Sequence, residues 1–233
     1  MVNLVVDATY WGERTEDTSW CSVVARDPKQ REDLWWSFEK TETTSVYRRC
    51  RIELETLGYK FPSVTGDGFG GIKQAFSGIP YQMCHVHMER LVIQRTTRNP
   101  ELEPGIVLLV LTRTLHETDR TTFHRRLHQY IEKYKTFLNE KTTHPLSGEM
   151  SWTHENLRRA VHSLMRFQSY LFTFESDQHI PRTTNSLEGH FRHIADVANV
   201  HCGLTREQKE RVLHSLFLAG TIAPSKKKLD EIL

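Results

Sequence analysis

The chain lacks the features that would tie it to a membrane, a disulfide scaffold or a nucleotide-binding loop. Its longest apolar run, residues 106–111, is far too short to cross a bilayer, and the amino terminus has neither the basic region nor the long apolar stretch of a signal peptide. A soluble, intracellular protein is expected, with no membrane partner. The four cysteines, Cys21, Cys50, Cys84 and Cys202, contain no Cys-x-x-Cys pair, which argues against a four-cysteine zinc site and a disulfide framework. No P-loop, no Gly-x-Ser-x-Gly elbow and no internal repeat is visible. Charge of one sign is also missing: 31 Lys and Arg stand against 29 Asp and Glu, a net charge of +2 that does not by itself announce a nucleic-acid partner.

What is present is enough apolar residue, 38% of 233, to pack a substantial core. Residues 3–11, 20–25 and 34–38 are rich in β-branched and aromatic side chains and read as three strands in an antiparallel meander. Tyr47, Cys50, Leu54 and Leu57 then recur at helical spacing, with Thr43 or Thr44 as N-cap and Gly58 placed to end the helix. A short strand at 61–65 runs into a glycine-rich turn, residues 66–71, a second helix opens at Ile72, and residues 81–87 read as a fifth strand. From 88 to 180 the stripes are helical, for example Phe123, Leu127, Tyr130 and Tyr134, then Leu157, Val161 and Leu164. Two helices follow, about 186–199 and 206–218, the second opening with the capping box Thr205-x-x-Gln208. The pattern predicts an α/β fold: a mixed sheet flanked by helices, with an all-helical insertion before the last pair of helices. The expected divisions are 1–87 (first part of the core), 88–180 (insertion), 181–222 (rest of the core) and 223–233, a basic tail with Lys226, Lys227 and Lys228.

Three carboxylates stand out. Asp7 lies inside an apolar strand, where it either turns to solvent on the far face or meets a cation that offsets its desolvation. Asp67 follows a strand end in a glycine-rich turn, a position open to a metal ion but also ordinary for a turn. Glu188 sits at the edge of the stripe Leu187, Phe191, Ile194 and Ala198, with Asn185 and Arg192 on the same side; Asn185 as N-cap and Glu188 as its capping partner is the plainer alternative. Held together, the three could bind two Mg²⁺ ions roughly 3.5 to 4 Å apart. Cys84-x-x-His87 invites a zinc site completed by His190, His193, His201 or Cys202, against the simpler reading of a buried strand. The arginine groups Arg90, Arg95 and Arg98, and Arg125, Arg126, Arg158 and Arg159, suit phosphates or simply solvate helices.

Four motifs in order, Val5-Val6-Asp7, Gly66-Asp67-Gly68 through Gly71-Ile72, Cys84-His85-Val86-His87 and Arg182-Thr183-Thr184-Asn185-Ser186-Leu187-Glu188, resemble those of the Mutator-type superfamily of DDE transposases, with its related bacterial insertion-sequence enzymes. The resemblance implies an RNase H-like fold and a DNA transposase using two Mg²⁺ or Mn²⁺ ions. It makes Asp7, Asp67 and Glu188 the catalytic metal ligands, and Cys84, His87, Asn185 and Arg192 residues associated with the site. Arg90, Arg182 and Trp152 are the expected DNA contacts; Trp152 would stack on a distorted base or lie in the core. Implied partners are transposon ends and target DNA, further copies of the chain, and a separate N-terminal domain for end recognition. The setting would be cytoplasmic or nucleoid-associated in a bacterium, nuclear in a eukaryote. A truncated, non-catalytic fragment that regulates a full-length enzyme is the competing expectation, and an RNase H-like nuclease without joining activity a third.

Overall fold

β-branched and aromatic residues form the three expected strands, β1 (Asn3–Trp11), β2 (Trp20–Asp27) and β3 (Glu32–Glu39), each antiparallel to the next. The computed structural model describes residues 1–12, 18–200 and 203–222. Helix α1 (Thr44–Thr56) starts where the Thr43 hydroxyl accepts from the Val46 N–H, and buries Val46, Tyr47, Cys50 and Leu54. Leu57, counted above in its stripe, is exposed beyond the helix end. β4 (Ser63–Gly66) returns parallel to β1, α2 (Gly70–Ala75) follows the glycine-rich turn, and β5 (Tyr81–Met83) lies parallel to β4. The strand order is β3-β2-β1-β4-β5, a mixed sheet flanked by helices as in an RNase H-like fold.

The fifth strand is shorter than the sequence suggests. It ends at Met83, and Cys84 is the N-cap of α3 (His85–Thr96), so Cys84 and His87 stand on a strand-to-helix junction rather than in a strand. After α3 come α4 (Glu103–Arg113), α5 (Arg120–Lys133), α6 (Lys135–Leu138) and α7 (Glu155–Phe167). The insertion is not all-helical: β6 (Lys141–Thr143) and β7 (Met150–Trp152) pair as an antiparallel hairpin between α6 and α7. Every residue of both strands is exposed, so no alternating apolar face marked them in the sequence. Trp152 stands on this hairpin, not in the core, with the Arg158 guanidinium 3.8 Å and the Lys141 ammonium 4.5 Å from its ring centre.

Helices α8 (Asn185–Asn199) and α9 (Arg206–Ile222) are the last described elements. The capping box at α9 forms in both directions: the Thr205 N–H donates to Gln208 Oε1 at 2.9 Å, and the Gln208 N–H donates to Thr205 Oγ1 at 3.3 Å. Alternation along β1 divides the core. Leu4 and Val6 face the cluster built with α1, α2 and the insertion, whereas Val5 faces a second cluster with Leu187, Phe191, Ile194 and Ala198 of α8 and Leu213 and Phe217 of α9. Each large apolar side chain buried there contributes about 1.5–3 kcal/mol, so α8 docks without needing Glu188. Among the described residues no helix is long and apolar enough to cross a membrane. The lysine-rich tail, His201 and Cys202 lie outside the described residues.

Candidate active site

Asp7 has the parity of Val5 along β1, so it points to the face that α8 covers. It is only 5% exposed, which removes the solvent-facing alternative. The parallel register pairs Val5 with Thr65. Asp7, midway along β1, and Asp67, just past the end of β4, each lie two residues beyond that pair. Burial first, and the Asp67 carboxylate second, push the Asp7 carboxyl up to about 8; Glu188 and Glu42 add to the rise and the Ala8 N–H opposes it. That N–H donates to Asp7 Oδ1 at 2.9 Å. The charged side chains that act most on Asp7 are carboxylates, an arrangement that a bound cation would relieve.

The turn after β4 is built around Asp67. Its Oδ1 accepts from the Phe69 N–H at 2.9 Å, and the Gly68 N–H donates to the Tyr81 hydroxyl at 2.9 Å. Gly68 has φ +98°, and a Cβ there would lie 2.9 Å from Met83 Sδ and 3.2 Å from Phe167 Cζ, so only glycine suits both backbone and space.

Glu188 stands on the first turn of α8. The N-cap is Thr184, not Asn185, and makes no capping bond through its side chain; Glu188 instead accepts from Arg90 Nη2 through Oε2 at 2.6 Å. Thr184 is a buried junction: its N–H donates to Cys84 Sγ at 3.3 Å, and its hydroxyl donates to Glu188 Oε1 at 3.4 Å and lies 3.3 Å from His87 Nδ1. The His85 N–H donates to the Arg182 carbonyl at 3.0 Å, tying the same two segments. Cys84 and His87 thus link the start of α3 to the start of α8. Burial pulls the His87 imidazole below its ordinary value, against the opposing pull of Asp67 and Glu188.

Cys84, His87 and Glu188 offer three ligand-type atoms within 4.8 Å of one another, the one such group among the described residues. The grouping is not the Asp7, Asp67 and Glu188 set, and it fits a zinc ion poorly as it stands, because burial raises the Cys84 thiol and favours its protonated form. His190, suggested above as a fourth ligand, is engaged elsewhere, bonded to the fully buried Asp33 together with Arg26. These bonds fix α8 to β2 and β3.

The remaining residues divide. Arg90 is brought to Glu188; Arg182 is held by its bond to the His116 carbonyl at 3.0 Å and by packing on the Phe174 ring. Asn185 and Arg192 are exposed on α8. Glu42 was missed by sequence reasoning, because nothing in the Thr41–Thr44 link before α1 distinguishes it. It accepts from the Tyr47 hydroxyl at 2.6 Å, and burial, with help from Asp67, pushes it up to about 7.

The fold and this arrangement of motifs are those of a DDE-type transposase domain, and a family model for such domains, described as Transposase IS66 family, matches residues 5–198. The chain belongs to that transposase family, in keeping with the resemblance drawn from its motifs. No curated protein and no solved structure matches it.

Proposed function

We propose that this transposase domain cleaves DNA strands and joins 3′ hydroxyls to target DNA, with Asp7, Asp67 and Glu188 as ligands of two Mg²⁺ or Mn²⁺ ions. The observation that carries this reading is Asp7: buried, raised by the nearby carboxylates of Asp67, Glu188 and Glu42, and on the sheet face covered by the helix of Glu188. Hard oxygen donors of this kind suit Mg²⁺, and the ions, when bound, would activate the attacking water or hydroxyl and stabilise the leaving oxygen. The chain itself supplies position. Tyr81 and the Phe69 N–H hold the Asp67 turn, Thr184 with Cys84 and His87 holds the start of α8, and Arg90 neutralises Glu188. Arg90, Arg182 and Trp152 are assigned to DNA, Asn185 and Arg192 to the rim of the site, and residues 88–180 to the insertion that frames the substrate. Copies of the chain, and a separate end-recognition domain, would complete the assembly.

The test is Mn²⁺ binding, followed by loss of the free-ion paramagnetic resonance signal, together with Mn²⁺-dependent nicking and strand transfer. Asp7→Asn, Asp67→Asn and Glu188→Gln should each weaken binding at least tenfold and abolish both reactions while the circular dichroism spectrum is kept. Retained activity in the Asp67 variant would sink the assignment. A wild-type chain that binds no Mn²⁺ but pairs with a full-length relative would favour the regulatory fragment, and cleavage without joining the nuclease.

A further inference from the structure

A cleft of about 650 Å³ lies between the end of α2 and the segment 169–176, with Lys73, Ser77 and Tyr81 on one wall and Arg120, Ser169 and Tyr170 on the other. A smaller hollow of about 40 Å³ adjoins it, shares Lys73, Tyr81 and Tyr170 with it, and is bounded by Gly68 and Arg166. Gly68 is the chain neighbour of Asp67. The two hollows, which share these residues, form one path that begins at the Asp67 turn and runs outward past Arg166, Lys73 and Arg120.

The chemistry of this path is one-sided. Three cations border it, all three residues exposed, and the lining of neither hollow includes a carboxylate. Glu175 lies just outside and pairs with Arg120: Oε1 accepts from the Arg120 N–H at 2.7 Å and Oε2 is 3.9 Å from Arg120 Nε, an exposed pair that water and salt screen. Arg120 Nη2 also donates to the Phe172 carbonyl at 3.2 Å, which aims the side chain along the wall. Lys73 is steadied by Tyr170, donating to its hydroxyl at 3.0 Å with the ammonium 4.4 Å from the ring centre. Two preorganised cations, a third at the inner end and hydroxyls between them match a polyanion backbone; the modest net charge of the chain means that such a face has to be local.

We propose that this path is the track for the phosphodiester backbone of the DNA strand leading to Asp67, with Arg166, Lys73 and Arg120 each bound to a phosphate. The assignment rests on the proposed function for the identity of the polyanion. It is tested separately, by binding rather than by chemistry. Affinity for a fluorescein-labelled DNA duplex is measured by anisotropy from 50 to 200 mM salt, with EDTA present and no divalent ion.

Each phosphate contact adds about 0.9 to the slope of log affinity against log salt. The combined variant Lys73→Gln, Arg120→Gln, Arg166→Gln should therefore lose roughly 2 to 3 from that slope, and each single variant about 1. Lys135→Gln, on α6 and outside the cleft, should leave the slope unchanged. Equal slopes for wild type and the combined variant, or absence of salt-dependent DNA binding by the wild type, would overturn the track. If the track is wrong but the function is right, the combined variant nicks DNA in Mn²⁺ with an unaltered slope. If the function is wrong but the track is right, the slope falls although the wild type cuts nothing.

Discussion

Replacing Asp7 by Asn should stabilise the metal-free protein, and by an amount that grows with pH. The folded carboxyl is pushed from its ordinary 3.8 to about 8, whereas in the unfolded chain it ionises near its ordinary value. Between these two values the unfolded state binds fewer protons than the folded one. Stability from this group is therefore fully present below about pH 4 and falls by ~1.4 kcal/mol per pH unit until about pH 8. At pH 7 the accumulated loss is on the order of 4 kcal/mol, and relaxation around a buried ion reduces what is observed to about 2–4 kcal/mol. Asn keeps the shape and the acceptor for the Ala8 N–H but carries no charge to desolvate. In a chain of this size the gain corresponds to a melting point roughly 5 to 15 °C higher. The assay is thermal unfolding of both proteins in EDTA at pH 5, 7 and 8.5. The difference between them has to be read, because His85 acts in the opposite direction. Burial holds it at about 4, so its contribution is present above pH 6.5 and lost as pH falls toward 4, which flattens the wild-type curve. Addition of Mn²⁺ should raise the wild-type melting point and leave that of the Asn variant nearly unchanged. An Asn variant no more stable than wild type at pH 8.5, or a difference that does not vary with pH, would refute the electrostatic account of Asp7.

Two further perturbations test the scaffold around the site. Asp33→Ala leaves the buried Arg26 without its carboxylate and detaches His190 of α8, so urea unfolding should show a loss of about 3–5 kcal/mol; a loss below 1 kcal/mol would mean that the cluster does not anchor the helix. Gly68→Ala combines a φ of +98° with a Cβ 2.9 Å from Met83 Sδ, whereas Gly78→Ala, at φ +85°, meets no atom within 4 Å. The first should cost about 1–3 kcal/mol more than the second and weaken Mn²⁺ binding as the Asp67 turn shifts. Equal melting points for the two variants would show that packing at Gly68 is slack.

The elements that could be read from the chain are those whose local pattern and tertiary surroundings agree. β1 alternates between two buried faces, α1 and α9 carry their caps in the sequence, and α8 has one apolar stripe on one core. The β6–β7 hairpin was hidden for the converse reason. None of its strand residues is buried, so no period of two was under selection by a core. β5 was overextended because Cys84 and His85 are as buried as Tyr81 to Met83, and a hydrophobic sequence entering a helix from a strand does not reveal where the period changes.

The three candidate carboxylates stand out in the sequence, but what surrounds them does not. Each of Asp7, Asp67 and Glu188 had an ordinary alternative when taken singly, and only their order with the cysteine and histidine motif separated them from turns and caps. Geometry adds what spacing cannot. In the parallel register Val5 pairs with Thr65, and Asp7 and Asp67 each lie two residues beyond that pair, near enough for the Asp67 carboxylate to push Asp7 up. Glu42 reaches their electrostatic neighbourhood from a link with no motif of its own, through a bond to the buried Tyr47. The Cys-x-x-His motif also changes meaning. Thr184, which no spacing rule connects to Cys84, receives the motif from one side and touches Glu188 on the other. A cysteine and a histidine a hundred residues from the glutamate are therefore tied to it through the segment they hold. For that reason the same residues can look like a zinc half-site in sequence and serve, in the folded chain, to set where the glutamate helix begins.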